Sequence, residues 1–276
     1  MPFTFKREYR GPVRGLILDW AGTTVDFGCR APAAVFIEVF QQRAINVTLA
    51  EAREPMGMAK REHIRQITLM PSVAEQWEKQ YGNPATEEDI DAMYADFIPR
   101  QLACLKSYSD VIGGIPAFID ECRNHGMKIG ATTGYNREMM EICIEHASEQ
   151  GYTPDVSICA DDVLAGRPAP WMALQAAMKL GIYPMESLVK IGDTYADIDE
   201  GLNAGMWTIG ITRTGNELGL SEQEVVALTY AELKPRLHAI ENKMRHRGAH
   251  YVARSVGECR PILEDINARL ARGERP

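Results

Sequence analysis

The chain has 276 residues, of which 45% are hydrophobic and 25% are charged, and 38 acidic residues outnumber 30 basic ones. This composition is typical of a globular protein and excludes a disordered chain, a collagen-like repeat and a disulfide-stapled miniprotein. The net charge of −8 argues against a nucleic-acid partner or an anionic membrane surface. The length allows one large domain or two smaller ones.

The cysteines and the hydropathy pattern bear on location. The six cysteines are widely separated, so no CxxC pair is present for zinc or redox chemistry. No apolar run approaches a membrane span, and the first fifteen residues have no signal-peptide core. We therefore expect a reduced, cytoplasmic protein with no membrane partner.

The first strong element is the apolar run RGLILDW at 14–20, which predicts a buried strand with Asp19 at its carboxyl end. Strands alternating with helices predict an α/β fold, with a Rossmann-like parallel sheet covered on both faces. Further strand-like runs are at 128–133, 155–160, 188–193 and 206–211, with a weaker one at 250–253; helical patterns are at about 113–125, 136–149, 169–180, 196–203, 221–246 and 256–271.

A long helical insertion separates the first two strands. Residues 30–106 have helical patterns throughout, and Thr86-Glu-Glu-Asp89 resembles a capping box. A connection of this length exceeds an ordinary crossover. We predict a discontinuous α/β core domain formed by 1–27 and 107–276, and a helical cap domain at 28–106.

Polar residues follow the predicted strands, and ligands bind outside the carboxyl ends of an open parallel sheet. Asp19 could be a nucleophile and metal ligand, and Thr133 could hydrogen-bond a phosphoryl oxygen. Asp193 and Asp197 could complete a magnesium shell of hard oxygens. The loop at 20–23 offers backbone N–H groups to an anion. Each feature alone is common by chance, but their joint order is specific.

The chain resembles the haloacid dehalogenase superfamily of aspartate-nucleophile enzymes over nearly its whole length. The first motif of that family usually reads Asp-x-Asp-Gly-Thr, whereas residues 19–23 read DWAGT, with Ala21 at the second aspartate. That aspartate protonates a leaving alcohol, so its absence opposes an ordinary phosphatase or mutase. The third motif usually supplies a lysine, and here AGRP supplies Arg167.

With both departures, the sequence resembles one branch of the superfamily, the phosphonoacetaldehyde hydrolase family. The resemblance implies a haloacid dehalogenase-type core with an inserted helical cap, a Mg²⁺ cofactor and a homodimer. It also implies a small-molecule phosphonate substrate, phosphonoacetaldehyde, cleaved to acetaldehyde and phosphate. The matching segments are DWAGTTVDFGC (19–29), EPMGMAKREHIR (54–65), TTGYNREMM (132–140) and AGRPAPWM (165–172).

Lys60 is the residue on which this reaction would depend. On a helix it would share an apolar stripe with Met56, His63, Ile64 and Ile67. A lysine in such a stripe either snorkels to solvent or is partly desolvated, and desolvation lowers its pKa. The stripe alone favours snorkelling, but the resemblance implies that Lys60 forms an imine with the aldehyde.

The imine would make the carbon–phosphorus bond cleavable, because an enamine leaves instead of a carbanion. Asp19 could then attack phosphorus, assisted by Arg167, with no acid needed at position 21. Closure of the cap on the core would bring Lys60 and Asp19 together and exclude water.

The resemblance also implies a wider set of site residues, several of which have ordinary structural interpretations. His63 could relay protons or be a hydrogen-bonded core histidine, and Tyr135 could approach the phosphonate or cover the sheet edge. Cys29 and Met56 by themselves would be packing residues. The implied substrate-binding residues are Gly22, Cys29, Met56, His63, Thr133, Gly134, Tyr135 and Arg167; the implied metal-binding positions are Asp19, Ala21, Asp193 and Asp197.

Two alternatives remain open on the sequence. One is a general phosphatase or phosphomutase of the same superfamily, which Ala21 opposes. The other is a non-catalytic module that binds a sugar phosphate or a protein, which the set of Asp19, Arg167, Asp193 and Asp197 opposes.

Overall fold

The computed structural model describes residues 8–276, so residues 1–7 of the predicted core segment 1–27 lie outside the described residues. In this described part of the chain, six strands form one sheet in the order β3-β2-β1-β4-β5-β6, and every neighbouring pair is parallel. The predicted parallel α/β sheet is therefore confirmed. The strands are β1 (Gly15–Asp19), β2 (Lys128–Thr133), β3 (Val156–Cys159), β4 (Leu188–Gly192), β5 (Trp207–Ile211) and β6 (Tyr251–Ala253).

The helices follow the predicted order. The pattern at 221–246 is two helices rather than one, because Thr229 accepts a hydrogen bond from Glu232 N and begins a new helix. Between β1 and β2 lie α1 (Ala31–Gln41), α2 (Leu49–Arg53), α3 (Lys60–Thr68), α4 (Pro71–Tyr81), α5 (Glu87–Leu105) and α6 (Ile115–Asn124). After β2 follow α7 (Arg137–Glu149), α8 (Trp171–Leu180), α9 (Tyr195–Asn203), α10 (Glu222–Ala227), α11 (Tyr230–His246) and α12 (Arg260–Ala271).

The sheet is buried on both faces, because successive side chains of a strand point in opposite directions. In β1, Leu16 and Leu18 join an apolar cluster with α6, α7 and α12, and Ile17 joins a second cluster with α8. All five residues of β1 are buried. The strand that carries Asp19 is therefore held at the centre of the molecule.

The insertion consists of separate helices, so the prediction of helix throughout 30–106 is wrong at the connections. Gly57 and Gly82 have φ values of +91° and +80°, a left-handed conformation that ends or prevents a helix. The capping box at Thr86 is confirmed, because Thr86 Oγ1 accepts from Asp89 N and Asp89 accepts from Thr86 N.

The helices of the insertion share an apolar core with one face of the sheet. Their buried side chains belong to the same apolar cluster as Leu16 and Leu18, and the rings of Phe36 and Phe97 stack with centroids 4.5 Å apart. The division into a core domain and a cap domain stays a prediction. Among the helices of residues 8–276, none is both long and apolar enough to cross a membrane.

Candidate active site

Three aspartates meet at the carboxyl edge of the sheet. Asp19 ends β1, Asp193 follows β4, and Asp197 lies in the first turn of α9. Because β1 and β4 are neighbours, one carboxylate oxygen from each aspartate lies within 4.8 Å of the others, and all three residues are buried. The acidic residues that are far apart in the sequence thus form one cluster.

Burial sets the protonation of these carboxyl groups. Burial, together with the neighbouring aspartates, raises the pKa of Asp19 and that of Asp193. Asp197 differs: burial opposes its ionisation, but Arg167 and Lys190 hold its pKa below the ordinary value. Buried carboxylates this close are costly without cations to balance them.

Two buried cations and a fourth acid lie behind the aspartates. Arg167 Nη1 is 2.7 Å from Asp19 Oδ1 and 3.1 Å from Asp197 Oδ1. Lys190 Nζ is 2.9 Å from Asp197 Oδ1. Glu200 Oε2 accepts hydrogen bonds from Arg167 Nε at 3.0 Å and lies 3.1 Å from Lys190 Nζ. These charges fix the guanidinium next to the Asp19 carboxylate.

The cluster fits a magnesium ion by its donor atoms and by its charge. The three aspartates offer only hard oxygen ligands, which Mg²⁺ prefers. Ala21 lines a small cavity together with Asp19 and could contribute only its backbone carbonyl. Four buried carboxylates face two buried cations, so a divalent ion would balance the remaining charge; the acids are Asp19, Asp193, Asp197 and Glu200, and the cations are Arg167 and Lys190.

Lys60 is the first residue of α3, not a residue within a longer helix. Gly57, at φ +91°, separates Met56 from α3, so the predicted helical stripe is wrong for Met56. It is right for Lys60, His63, Ile64 and Ile67, all of which are buried on α3. Met56 nevertheless reaches the lysine, since its Sδ lies 4.0 Å from Lys60 Nζ.

The Lys60 amine is enclosed by apolar and aromatic groups. The residue is 5% exposed, and Nζ lies 4.9 Å from the centre of the Tyr135 ring and 5.7 Å from that of Phe36. Within the described part of the chain, no carboxylate forms an ion pair with it. Burial lowers the pKa of Lys60 to about 8, so about a tenth of it is the free amine at pH 7, far more than for an ordinary lysine. The helix N-terminus acts in the same direction.

His63 is a neutral imidazole beside Lys60. Its Nε2 donates to Ala52 O at 2.9 Å, because a carbonyl oxygen can only accept. Burial and the Lys60 charge hold the pKa of His63 well below its ordinary value. Among the hydrogen-bonding groups of residues 8–276, Nδ1 has no partner. The structure therefore provides a buried, unprotonated nitrogen next to the lysine.

A small cavity lies between α3 and the sheet edge. Its volume is about 20 Å³, which holds about one water molecule. Gly134 is required at its wall, because a Cβ there would lie 2.3 Å from Met58 O. Thr133 Oγ1 accepts from Tyr135 N. The lining residues are Asp19, Ala21, Cys29, Met56, Gly57, Lys60, Thr133, Gly134, Tyr135, Arg167 and Thr194.

Four predicted site residues do not border this cavity: Gly22, His63, Asp193 and Asp197. The loop at 20–23 was expected to offer backbone N–H groups to an anion, but two of these groups form hydrogen bonds within the same turn. The N–H of Gly22 donates to Val25 O at 2.7 Å and that of Thr23 to Trp20 O at 3.2 Å. These two N–H groups are used within the turn and are not directed at an anion. By contrast, the N–H of Gly134 has no hydrogen-bond partner in the described segment.

Sequence analysis missed Lys190 and Glu200. The signal was present, because Lys190 interrupts the otherwise apolar strand LVKIG, and a buried cation needs a buried anion. Glu200 stands three residues after Asp197 on α9, a spacing that places both on one helix face. Thr132, whose hydroxyl donates to Glu200 Oε2 at 3.1 Å, belongs to this network, whereas Thr133 faces the cavity.

Replacing Glu200 with alanine should strongly destabilise the fold. The substitution leaves Arg167 and Lys190 buried without one of their acidic partners, which costs about 3–5 kcal/mol in the free energy of unfolding. Urea unfolding measures this change. The control is Glu241→Ala, which removes an exposed pair with Arg245 and should cost at most about 1 kcal/mol. Equal losses in the two variants would contradict a stabilising role for Glu200.

Comparisons with known proteins agree with this fold. A family model for haloacid dehalogenase-like hydrolases matches residues 13–205, and the chain belongs to this class of enzymes. It is 50% identical to a phosphonoacetaldehyde hydrolase-like protein of Syntrophobacter fumaroxidans, over 99% of both chains. It is 47% identical to a phosphonoacetaldehyde hydrolase of Nitratidesulfovibrio vulgaris, over 100% of this chain and 98% of the relative.

A solved structure supports the same grouping. The crystal structure of a phosphonoacetaldehyde hydrolase-like protein from Oleispira antarctica matches with a TM-score of 0.97 and 42% identity, over all of both chains. Within the haloacid dehalogenase-like hydrolases, the chain therefore falls in the phosphonoacetaldehyde hydrolase family.

Proposed function

We propose that this enzyme hydrolyses the carbon–phosphorus bond of phosphonoacetaldehyde, giving acetaldehyde and phosphate. One observation carries the proposal: Lys60, with a lowered pKa, and Asp19 line the same buried cavity. Ala21 stands at the rim of that cavity, where a phosphatase of this class would have its acid. Relatives named phosphonoacetaldehyde hydrolase, similar over nearly their whole length, support the choice of substrate.

Lys60 acts first in the proposed reaction. Its free amine attacks the aldehyde carbon, and loss of water gives a protonated imine on Nζ. The positive nitrogen then accepts the electron pair of the carbon–phosphorus bond, so that an enamine leaves. The apolar surroundings of Nζ favour this chemistry, because they lower the pKa of the amine and so increase the neutral fraction that can attack.

Asp19 acts second, as the nucleophile at phosphorus. Its carboxylate displaces the enamine and forms an aspartyl-phosphate, which water then hydrolyses to phosphate. Arg167 Nη1, 2.7 Å from Asp19 Oδ1, stabilises the charge of the transferring group. The Thr133 hydroxyl and the Gly134 N–H, which has no partner among residues 8–276, are the donors for phosphoryl oxygens. Mg²⁺, held by the three aspartates and the Ala21 carbonyl, would supply the positive charge that the anionic cluster lacks.

The residues around Lys60 determine its surroundings and the shape of the cavity. Water supplies the proton that the enamine carbon takes up, and hydrolysis of the resulting imine gives acetaldehyde. His63 does not border the cavity, so a proton relay through its Nδ1, which has no partner among residues 8–276, stays a prediction. Tyr135 faces the cation with its ring. Burial raises the pKa of Cys29 well above its ordinary value, so Cys29 is a neutral thiol that borders the substrate together with Met56.

Substrate entry requires movement of the helical insertion. A cavity of about 20 Å³ is too small for a phosphonate with several non-hydrogen atoms. Its walls come from residues 28–106 on one side and from the sheet edge on the other. We therefore propose that residues 28–106 are a cap, which opens for the substrate and closes to exclude water. The homodimer and the cytoplasmic location implied earlier stay predictions.

The activity should rise with pH because Lys60 must be the free amine. With a pKa of about 8, kcat/KM should increase about tenfold per pH unit below pH 8 and level off above it. Steady-state rates between pH 6.5 and pH 9.5 measure the profile. A profile that is level between pH 6.5 and pH 8 would contradict the lysine assignment. The charged and titratable groups that influence Lys60 are Asp19, Asp26, Cys29, His63 and Arg167.

The reaction itself is tested by measuring both products. Purified enzyme with Mg²⁺ should release acetaldehyde and phosphate in equal amounts from phosphonoacetaldehyde, and chelation of Mg²⁺ should abolish the release. A panel of phosphate esters distinguishes the alternative of a phosphatase or phosphomutase. Brisk turnover of an ester without an aldehyde, combined with none of phosphonoacetaldehyde, would overturn the proposal.

A further inference from the structure

The loop after β5 holds the Asp193 carboxylate. The backbone N–H of Asn216 donates to Asp193 Oδ2 at 2.7 Å, and the Thr23 hydroxyl donates to Asp193 Oδ1 at 2.9 Å. Gly215 packs so closely that a Cβ there would lie 2.5 Å from the Cβ of Asp193. The position of this loop backbone therefore sets the orientation of the carboxylate.

Asn216 also contacts the helical insertion. Its Nδ2 donates to the carbonyl oxygen of Arg53, and Arg53 Nη1 donates to both Asn216 O and Asn216 Oδ1, all at 3.1 Å. Arg53 Nη2 donates to Gly219 O at 3.2 Å. A Cβ on Gly219 would lie 2.8 Å from Arg53 Cζ. The loop at 215–219 is thus held between Asp193 on one side and Arg53, the last residue of α2, on the other.

Arg53 holds the loop by hydrogen bonds and not by an ion pair. In the described residues no carboxylate lies within 4.0 Å of its guanidinium, and its donors go to carbonyl and amide oxygens. One of these is Gly28 O, at 2.9 Å, in the segment that leads from β1 into the insertion. Gly28 in turn donates its N–H to Thr214 O at 2.7 Å. Arg53 therefore joins the insertion, its connecting segment and the Asp193 loop.

We propose that Asn216 is a positioning residue for Asp193, and that Arg53 sets its position when α1–α5 are seated on the sheet. Loss of the Arg53 contacts frees the loop at 215–219, so Asp193 Oδ2 is held less firmly and the affinity for Mg²⁺ falls. Because linkage is reciprocal, bound Mg²⁺ stabilises the seated arrangement of the insertion. The inference rests on the proposed metal role of Asp193 but not on the identity of the substrate.

Calorimetric titration with Mg²⁺ alone, without substrate, tests this coupling. Asn216→Ala and Arg53→Met should each raise the Kd for Mg²⁺ about 10-fold, as removal of groups that orient metal ligands does. The double variant should raise the Kd by less than the product of the two single effects, because both changes break the bond between Arg53 Nη1 and Asn216 Oδ1. Arg53→Lys should resemble Arg53→Met, since an ammonium cannot bridge the three segments that the guanidinium joins.

The matched control is Arg43→Met, which also removes a guanidinium from the insertion. Arg43 donates hydrogen bonds to Asp96 and Val39 O, both within the insertion. The Kd of the Arg43→Met variant for Mg²⁺ should therefore stay within about twofold of that of the original enzyme. Hydrogen exchange supplies a second measurement: Mg²⁺ should slow exchange at 49–53 in the original enzyme and not in Asn216→Ala. A purely structural role would lower the melting temperature without changing either result.

Three outcomes would overturn the inference, and they distinguish its failure from failure of the proposed function. Unchanged Mg²⁺ affinity in the folded Arg53 and Asn216 variants, or fully additive effects, would overturn the coupling alone. Failure of the original enzyme to bind Mg²⁺ would overturn the coupling together with the proposed metal site. Neither measurement depends on turnover of phosphonoacetaldehyde.

Discussion

Asp19→Asn is expected to reduce turnover of phosphonoacetaldehyde by about 10⁴-fold or more, as loss of a nucleophile does in other enzymes. The amide has nearly the same shape as the carboxylate, but it cannot attack phosphorus to form an acyl phosphate. Phosphate release under saturating substrate measures the effect. Asparagine also removes a buried charge that burial and the neighbouring Asp197 disfavour, so the free energy of unfolding should stay the same or increase.

The control for this variant is Asp120→Asn. Asp120 lies on the exposed side of α6, so the same chemical change should leave turnover within about twofold and stability within about 0.5 kcal/mol. If Asp19→Asn kept turnover within about tenfold of the original, another group would be the nucleophile. A large loss of stability would show that Asp19 serves mainly to pair with Arg167.

Lys60→Arg is expected to abolish turnover to a similar extent, about 10⁴-fold, because a guanidinium is always protonated and cannot form an imine. The original enzyme should lose activity when borohydride is added with substrate, and mass spectrometry should locate the reduced adduct on Lys60. Lys60→Arg should show no adduct. Lys79→Arg, on the exposed surface of α4, is the control and should behave like the original enzyme.

Comparing the borohydride trapping of the two single variants distinguishes the steps of the reaction. Asp19→Asn should still be trapped by borohydride, because the imine precedes phosphoryl transfer. Lys60→Arg should neither trap nor release phosphate. An untrapped Asp19→Asn variant would mean that the aspartate is needed for imine formation, and near-normal turnover by Lys60→Arg would exclude the imine mechanism.

Local patterns were sufficient for the sheet but not for the insertion. The strand at 14–20 was predictable because a parallel strand buried on both faces is continuously apolar, and Leu16, Ile17 and Leu18 are all fully buried. The start of α3 was not, because apolar spacing continues through Gly57 while the backbone there turns into the left-handed region. Periodicity reports which side chains are buried, and not where a helix begins.

The contacts that complete the site join residues distant in the chain. Lys190 and Thr132 are paired at 2.8 Å, and Arg53 contacts Asn216 at 3.1 Å. Neither pair shares an element or a motif. Such pairs form only when the strands and helices pack, so no spacing in the sequence indicates them. The amino-acid composition of the chain does not indicate these pairs either.

The sequence by itself determined the order of strands and helices, the long insertion after β1 and the motifs around Asp19, Lys60, Arg167 and Asp193. These features follow from short-range patterns of burial and from resemblance to a family. Only the tertiary structure decided the charges that surround them. It placed Lys190 and Glu200 behind the aspartates, left Lys60 without an acidic partner among residues 8–276, and joined Arg53 to the Asp193 loop. The physical reason is that burial and ion pairing depend on distances across the packed molecule, which local propensity does not specify.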